Sequence, residues 1–221
     1  MRAALYWAPA IDDPLHNAGS AWLGRDAETN APVEQPPLPG IVEMTVDPRL
    51  YGLHATLKPP FHLTGSYARF IADAAALASR IAAFELPPLA VRNYKNFLAL
   101  RETSPCPQLQ FLADEMVRGL DRHRAAPDAA ELARRRPASL SPTQLCLLER
   151  WGYPYVMEEW SFHVTLTRRL TDAELSRVLP AAEAHLSDIA ARPRRIEAVC
   201  VFTQASPGAP FLVAERLSLR G

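Results

Sequence analysis

A four-residue pattern, His-x-Thr-Leu, occurs twice in this sequence, at residues 54–57 and again at residues 163–166. Both copies lie in short runs where apolar and polar residues alternate, which is the pattern of a β-strand with one buried face. Two matches among only six histidines are more than composition alone would supply. The sequence therefore predicts two equivalent strands in an antiparallel sheet that is covered on one side.

The polar face of each predicted strand carries an imidazole and a hydroxyl two residues apart. The apolar sets are Leu53, Ala55 and Leu57 in the first strand, and Phe162, Val164 and Leu166 in the second. The polar sets are His54, Thr56 and Lys58 in the first strand, and His163, Thr165 and Thr167 in the second. If the two strands face one cleft, the two imidazoles should lie across it from each other, within the span of a phosphate group.

Such a cleft suits phosphodiester chemistry. One neutral histidine can accept a proton from the attacking oxygen, and one protonated histidine can donate a proton to the leaving oxygen. Threonine hydroxyls can donate hydrogen bonds to the other phosphate oxygens, where charge develops. A lone histidine on a half-exposed strand is usually structural, but the repetition of the whole context favours a functional pair.

A metal site is not expected. Zinc and similar ions are held by three or four ligands, and no Asp, Glu or Cys shares the polar face of either strand. We therefore expect no metal and no other cofactor, activity that survives chelation, and a bell-shaped pH profile with its maximum near neutrality, since histidine titrates at about 6.5.

Composition limits the partners. The formal net charge is zero, whereas proteins that bind long nucleic acids carry a basic stripe, so we expect a small phosphorylated substrate instead. The three cysteines show no paired spacing, which is typical of reduced thiols in a cytoplasmic protein. There is no signal-peptide pattern and no long apolar run, so no membrane association is expected. We expect a monomer, although the sequence does not exclude an oligomer.

The order strand, helix, strand, strand appears twice. The first set comprises the first His strand, a helix at residues 67–84, and strands at 89–94 and 97–101. The second comprises a strand at 161–167, a helix that opens with a capping box at Thr171 and Glu174, and strands at 195–204 and 210–219. Before them come a strand at 2–8 and a Pro-rich excursion at 9–40, and between them helices at 108–122, 141–149 and, as a further candidate, 128–136.

This duplication predicts the α+β class, with antiparallel sheets and two pseudo-symmetric lobes around a central cleft. We expect residues 1–221 to form a single bilobal domain. Its parts would be a first lobe at about 41–104, a helical connection at about 105–155 and a second lobe at about 156–221. The strand at 2–8 and the loop at 9–40 would pack on the body, and the sequence leaves open whether that loop is a lid.

The chain resembles the two-histidine (2H) phosphoesterase superfamily, whose members include RNA ligase-like and cyclic-nucleotide phosphodiesterases. The longer runs at 51–61 and 162–167, and the run at 21–26, resemble one uncharacterised branch that is often associated with phosphonate-utilisation operons. The resemblance implies a hydrolase that cleaves a cyclic or linear phosphodiester without metal. It implies that His54 and His163 form the acid/base pair and that Thr56 and Thr165 hold the phosphate.

Further substrate contacts are less constrained. Lys58, on the predicted face of His54, is a candidate for neutralising phosphate charge, or a plain surface lysine. Tyr6 could face the cleft or simply pack, and Tyr153 and Tyr155 could stack on a base or sugar or pack on the core. The main alternative to an enzyme is a non-catalytic module that binds a phosphorylated metabolite or RNA end in the same cleft. Intact His and Thr in both copies favour the enzyme.

Overall fold

The computed structural model describes residues 1–127 and 140–221. The expected helix at 128–136 and the arginine run at 134–136 lie outside these residues. The described strands are β1 (Arg2–Trp7), β2 (Ala55–His62), β3 (Phe84–Leu86), β4 (Leu89–Tyr94), β5 (Phe97–Glu102), β6 (Val164–Thr165), β7 (Arg194–Ile196), β8 (Ala198–Gln204) and β9 (Leu212–Ser218). The α-helices are α1 (Pro14–Leu23), α2 (Ile41–Met44), α3 (Val46–Tyr51), α4 (Tyr67–Ala78), α5 (Pro107–Gly119), α6 (Pro142–Trp151) and α7 (Asp172–Ala190).

Seven of the described strands form one sheet in the order β4-β5-β6-β2-β1-β8-β9, and β3 pairs with β7 in a separate ribbon. Every pairing between these strands is antiparallel. The expected α+β class with antiparallel sheets is therefore confirmed. The strands that carry the two motifs, β2 and β6, are neighbours at the centre, where their ladder consists of the single pair Ala55–Val164.

The two halves of the sheet are interleaved along the chain. The first motif strand, β2, joins β1, β8 and β9, and the helix that follows it, α4, contacts β9. The second motif strand, β6, joins β4 and β5, and the helix that follows it, α7, packs on β4. The ranges expected for the lobes, 41–104 and 156–221, therefore each supply strands to both sides of the central junction. The single bilobal domain over 1–221 stays a prediction.

Helix starts follow local sequence rules. Thr171 and Glu174 form the expected capping box at the start of α7, and Ser141 and Gln144 form a second one at the start of α6. Each box satisfies two otherwise unpaired backbone N–H groups. The expected helix at 67–84 ends earlier, at Ala78, because the chain turns there into the short strand β3.

The segment at 9–40 contains a helix that the sequence did not reveal. Residues 14–23 form α1, which begins with Asp13 as N-cap, and α1 packs against α7. Trp22 at its end is fully buried, and its indole N–H donates to the carbonyl of Leu166 at 3.0 Å. Trp22 therefore holds this segment against the body of the protein. No helix among the described residues is long and apolar enough to span a membrane.

Pro59 and Pro60 do not end β2, which continues to His62. Both prolines lie beyond the single pairing with β6, and the ladder with β1 shifts register opposite them. Because proline has no N–H to give to a ladder, it is tolerated where a strand lacks a partner or bulges. The bulges change which residues of β2 face which side of the sheet.

Candidate functional site

The central junction of the sheet brings the two motifs together. Since Ala55 lies directly opposite Val164, antiparallel register places His54 opposite Thr165, and Thr56 opposite His163. All four side chains lie on the face away from Ala55 and Val164. His54 and His163 are therefore diagonal neighbours, and such residues lie about 7–8 Å apart, with Cβ atoms somewhat closer. This spacing leaves room for a phosphate group between the two imidazoles.

Both histidines are anchored in the same way. The Nδ1–H of His54 donates to the carbonyl of Gly52 at 2.9 Å, and the Nδ1–H of His163 donates to the carbonyl of Ser161 at 2.8 Å. A carbonyl oxygen can only accept, so each Nδ1 carries its proton and each Nε2 is left for chemistry. The hydroxyl of Thr56 lies 3.4 Å from Nε2 of His54. The repeated sequence has thus produced a repeated local geometry.

Gly52 makes the anchor of His54 possible. It ends α3 with φ +76°, a backbone conformation that side chains other than glycine rarely adopt. A Cβ built on Gly52 would also lie 2.5 Å from the Cβ of Ala27. The glycine therefore lets the chain turn directly from α3 into β2 and present its carbonyl to the imidazole.

His54 is held among aromatic side chains. Its ring stacks on Tyr6, with centroids 3.9 Å apart, and lies 5.9 Å from the ring of Tyr51. Burial, with a smaller contribution from the charge of His163, lowers the pKa of His54 to about 4, although the hydrogen bond to Gly52 opposes the shift. His54 is therefore neutral throughout the physiological range.

His163 has a more polar setting. Tyr94 and Phe97 lie against its ring, with centroid distances of 5.4 Å and 5.9 Å. The Tyr94 hydroxyl lies 3.1 Å from the hydroxyl of Ser161, the residue whose carbonyl anchors His163. Burial lowers the pKa of His163, and the positive charges of Arg101 and Lys95 act in the same direction.

A cavity of about 710 Å³ opens over this junction, within the range usual for small-molecule sites. The motif residues His54, Thr56 and Thr165 line it, and His163 lies beside it against Phe97. The other lining residues are Arg2, Tyr6, Asp47, Pro48, Tyr51, Pro59, Pro60, Phe97, Tyr153, Pro154, Tyr155, Thr167, Arg168 and Arg169. None of residues 9–40, all of which the structure describes, lines this cavity, so a lid role for that segment has no support.

The expectation for Lys58 is wrong. In the β1–β2 ladder Tyr6 pairs with Thr56, but Leu5 pairs with Lys58. Because Leu5 and Tyr6 face opposite sides of β1, a bulge in β2 has moved Lys58 to the face opposite Thr56. Lys58 is 2% exposed, and its ammonium donates to Asp121 at 3.3 Å and to the carbonyl of Val117 at 3.2 Å.

The three tyrosines that were candidate contacts, Tyr6, Tyr153 and Tyr155, all line the cavity. Tyr6 is fully buried, and its ring stacks on the ring of His54. Tyr153 lines the cavity wall and packs partly against the cluster of Val117 and Leu147, while its neighbour Tyr155 is 40% exposed at the cavity. Tyr153 thus lies where it can contact a substrate and also packs against the core, so both interpretations from the sequence apply to it.

Arginines in the cavity wall were missed by the sequence reasoning. Arg2 and Tyr6 are four residues apart on β1, and side chains an even number of residues apart share one face of a strand. This alternation could have identified Arg2 from the sequence. Arg168 and Arg169 follow the second motif after one residue, Thr167. Among the described residues, no group of three or more His, Cys, Asp or Glu side chains is placed to hold a metal ion.

Comparisons with known proteins place this chain in a family. The family model for "Protein of unknown function (DUF1045)" matches residues 56–212. A relative from Janthinobacterium sp. (strain Marseille), named ribose 1,5-bisphosphate phosphokinase PhnN, is 39% identical over 231 residues, covering 100% of this chain and 51% of its own length. A protein of the same name from Laribacter hongkongensis (strain HLHK9) is 36% identical over 215 residues, covering 96% of this chain and 50% of its own length. The chain thus spans about half the length of these curated relatives.

Solved structures also match over the full chain. E. coli LigT complexed with 3′-AMP aligns with a TM-score of 0.47 and 14% identity, covering 100% of this chain and 98% of that one. A crystal structure described as a phosphoesterase aligns with a TM-score of 0.43 and 13% identity, covering 100% and 99%.

Within this chain, the duplicated motif holds its two imidazoles by matching hydrogen bonds. The match over residues 56–212, with relatives 39% and 36% identical over nearly the whole chain, shows that the protein belongs to the DUF1045 family of proteins of unknown function.

Proposed function

We propose that this chain is a metal-independent phosphoesterase that hydrolyses a small cyclic phosphate or a nucleotide-like phosphodiester. The observation that carries the proposal is the paired geometry of His54 and His163. A backbone carbonyl holds the Nδ1 of each, His54 lines the cavity, and His163 lies against Phe97, which lines the same cavity. Arginines in the cavity wall can bind phosphate by themselves, so a pair of uncharged imidazoles is better explained by proton transfer.

The reaction needs one proton to leave water and one to reach the departing oxygen. A water oxygen attacks phosphorus, and His54 accepts the proton that the water loses. The bond from phosphorus to the leaving oxygen breaks, and protonated His163 donates a proton to that oxygen. A cyclic phosphodiester plus water becomes a phosphate monoester, and the two histidines regain their starting states by proton exchange with solvent. The hydroxyls of Thr56 and Thr165 donate to the remaining phosphate oxygens.

The different settings of the histidines support this division of roles. His54, whose pKa falls to about 4, is the more suitable base because it is uncharged when substrate arrives. His163, whose pKa is also lowered, must gain a proton to serve as acid. The negative charge of a bound phosphate raises a neighbouring imidazole pKa and supplies that condition.

The names of the relatives suggest a setting for the reaction. A half-length match to proteins named ribose 1,5-bisphosphate phosphokinase supports a phosphorylated ribose as the substrate class and a link to phosphonate metabolism. The kinase activity in that name fits this chain less well. Its G-x-x-x-x-G run, Gly19 to Gly24, is followed by Arg25-Asp26, and Gly24 ends α1 instead of opening a helix towards a phosphate. We assign the kinase chemistry to the other half of those relatives.

The experiment is turnover of 2′,3′-cyclic nucleotides by purified protein in excess chelator, followed by chromatography of the monoester product. We expect hydrolysis at the same rate with and without chelator. Binding without turnover of any cyclic phosphate would favour the non-catalytic alternative. Activity that returned only on addition of a divalent metal would refute the metal-independent mechanism.

A further inference from the structure

Cations lie at two separate ends of the cavity. The strand β6 runs parallel to β1, because both pair antiparallel with β2. Arg168 and Arg169 follow β6 at one end, whereas Arg2 begins β1 and lies at the opposite end. The histidine pair lies between them, near the ladder pair Ala55–Val164.

The Arg168 end already contains its own counter-charges. The guanidinium of Arg168 pairs with both carboxylate oxygens of Glu174, at 2.7 Å and 3.2 Å. Asp47 and Glu43 also lie close enough to raise the pKa of Arg168, although Glu174 has the larger effect. Since Asp47 itself lines the cavity, the charge of Arg168 is largely neutralised, and Arg169 is the cation at this end that forms no ion pair among the described residues.

Arg2 differs from Arg168 in having no acidic partner. Its Nε–H donates to the side-chain carbonyl of Gln204 at 2.7 Å, and the amide group of Gln204 in turn donates to the carbonyl of Ala209 at 2.7 Å. The guanidinium lies over the ring of Phe211, 5.4 Å from its centroid. Within residues 1–127 and 140–221, it forms no ion pair with a carboxylate.

These contacts orient Arg2 without neutralising it. Gln204, which is buried, fixes one edge of the guanidinium, and Phe211 supports one face. The terminal N–H groups form no hydrogen bond within the described part of the chain, and Arg2 lines the cavity. An oriented guanidinium with free N–H groups is the arrangement that binds phosphate through two parallel hydrogen bonds.

The spacing fits a substrate with two anionic groups. Arg2 and Tyr6 are four residues apart on one strand, about 13 Å between Cα atoms, and Tyr6 stacks on His54. The long side chain of Arg2 covers part of that distance. A phosphate bound at the histidine pair and a second one at Arg2 would thus be separated by about the width of a sugar.

We propose that Arg2 forms a second anion subsite, which selects substrates that carry a phosphate on the sugar in addition to the phosphodiester at the histidine pair. The proposal deepens the proposed function and rests on it for the position of the reacting phosphate. The expected substrate is a sugar or nucleoside phosphodiester that carries a second, terminal phosphate.

Equilibrium binding tests this subsite without relying on turnover. Isothermal titration calorimetry would compare adenosine 3′-phosphate with adenosine 3′,5′-bisphosphate, which differ by the second phosphate alone. We expect the bisphosphate to bind the unmodified protein about 10- to 100-fold more tightly, as for a charged hydrogen-bonded contact. Arg2→Gln should reduce that ratio to about threefold or less, and Arg2→Lys should retain part of it.

The matched control is Arg177→Gln, the same change at an exposed arginine of α7 outside the cavity wall. It should leave the ratio unchanged, although it alters the net charge equally. A ratio near one in the unmodified protein, an unchanged ratio in Arg2→Gln, or failure of both nucleotides to bind would overturn the subsite. Cyclic-nucleotide turnover judges the proposed function separately, so the two ideas can fail independently.

Discussion

The two histidine halves share a sequence motif and differ in their surroundings. His54 stacks on Tyr6 and is enclosed by aromatic rings, whereas His163 lies beside Tyr94 within the field of Arg101 and Lys95. Both imidazoles use Nδ1 in the same hydrogen bond to a carbonyl two residues earlier. Duplication thus preserves the geometry of a reactive nitrogen, while neighbours on other strands set its charge.

The largest expected effect comes from removing either imidazole. His54→Ala and His163→Ala should each lower kcat by about 10²–10⁴-fold, the usual cost of losing a general acid or base. The double variant should be far less than additive because the two groups act in one step. Steady-state kinetics on the cyclic substrate would measure this.

His62→Ala is the matched control, because His62 is an exposed histidine on the same strand β2 as the first motif. It should keep full activity, and all variants should give the same far-UV spectrum. Near-full activity in His54→Ala or His163→Ala would show that the two histidines do not act as a pair.

A second prediction separates the halves by their titration. In the free protein the pKa of His54 should lie near 4 and the pKa of His163 should lie below its ordinary value, because burial penalises both imidazolium ions. Activity needs His54 neutral and His163 protonated, so kcat/KM should peak on the acidic side of neutrality instead of near neutral pH. Two-dimensional NMR of the imidazole resonances would follow both groups.

Bound phosphate should raise the pKa of both groups, so the kcat profile should lie at higher pH than the kcat/KM profile. The reverse order, with His163 titrating below His54, would exchange the roles of base and acid.

A third prediction concerns Gly52, whose carbonyl anchors His54, where Ser161 has the same role for His163. Gly52→Ala should lower the free energy of unfolding by roughly 1–3 kcal/mol, since it combines a positive φ with a close contact to Ala27. Gly208→Ala, at φ +82° with open space around it, isolates the cost of φ alone and should be milder. Urea unfolding would compare the two. Equal losses would show that the contact with Ala27 relaxes freely.

The smallest effects should come from the hydroxyls. Thr56→Val and Thr165→Val each remove one hydrogen-bond donor and keep the shape of the side chain, so each should lower kcat by about tenfold. Transient kinetics at saturating substrate would separate this loss from a change in binding. Because each threonine lies opposite the histidine of the other half, a loss confined to one of them would show that the phosphate binds off-centre.

Local rules in the sequence predicted much of this site. Alternation at His54 and Thr56, the repeated context at His163 and the capping box at Thr171 each depend on a few neighbouring residues, and the structure contains all three patterns. Lys58 was misplaced because two bulges in β2 appear only once β2 is paired with β1. Register is a property of two strands, so a single strand cannot reveal it.

The grouping of strands was hidden for a related reason. Sequence order suggested that each motif belongs with the strands that follow it, but β4 and β5 pair beside β6, and β8 pairs beside β1. A repeated sequence predicts two equivalent units. It does not predict that strands of one unit pair with strands of the other. Arg2 was overlooked because it lies far from both motifs in the chain and reaches the cavity only through its position on β1.

The ribbon of β3 and β7 marks where the chain crosses between the two halves of the sheet, once in each direction. As the chain is synthesised, β1 and β2 therefore emerge long before β8, the strand that completes their side of the sheet. Pairings so distant in sequence form slowly and late in folding. We expect the half of the sheet that holds β1 and β2 to reach its final form only after β8 has paired, late in folding.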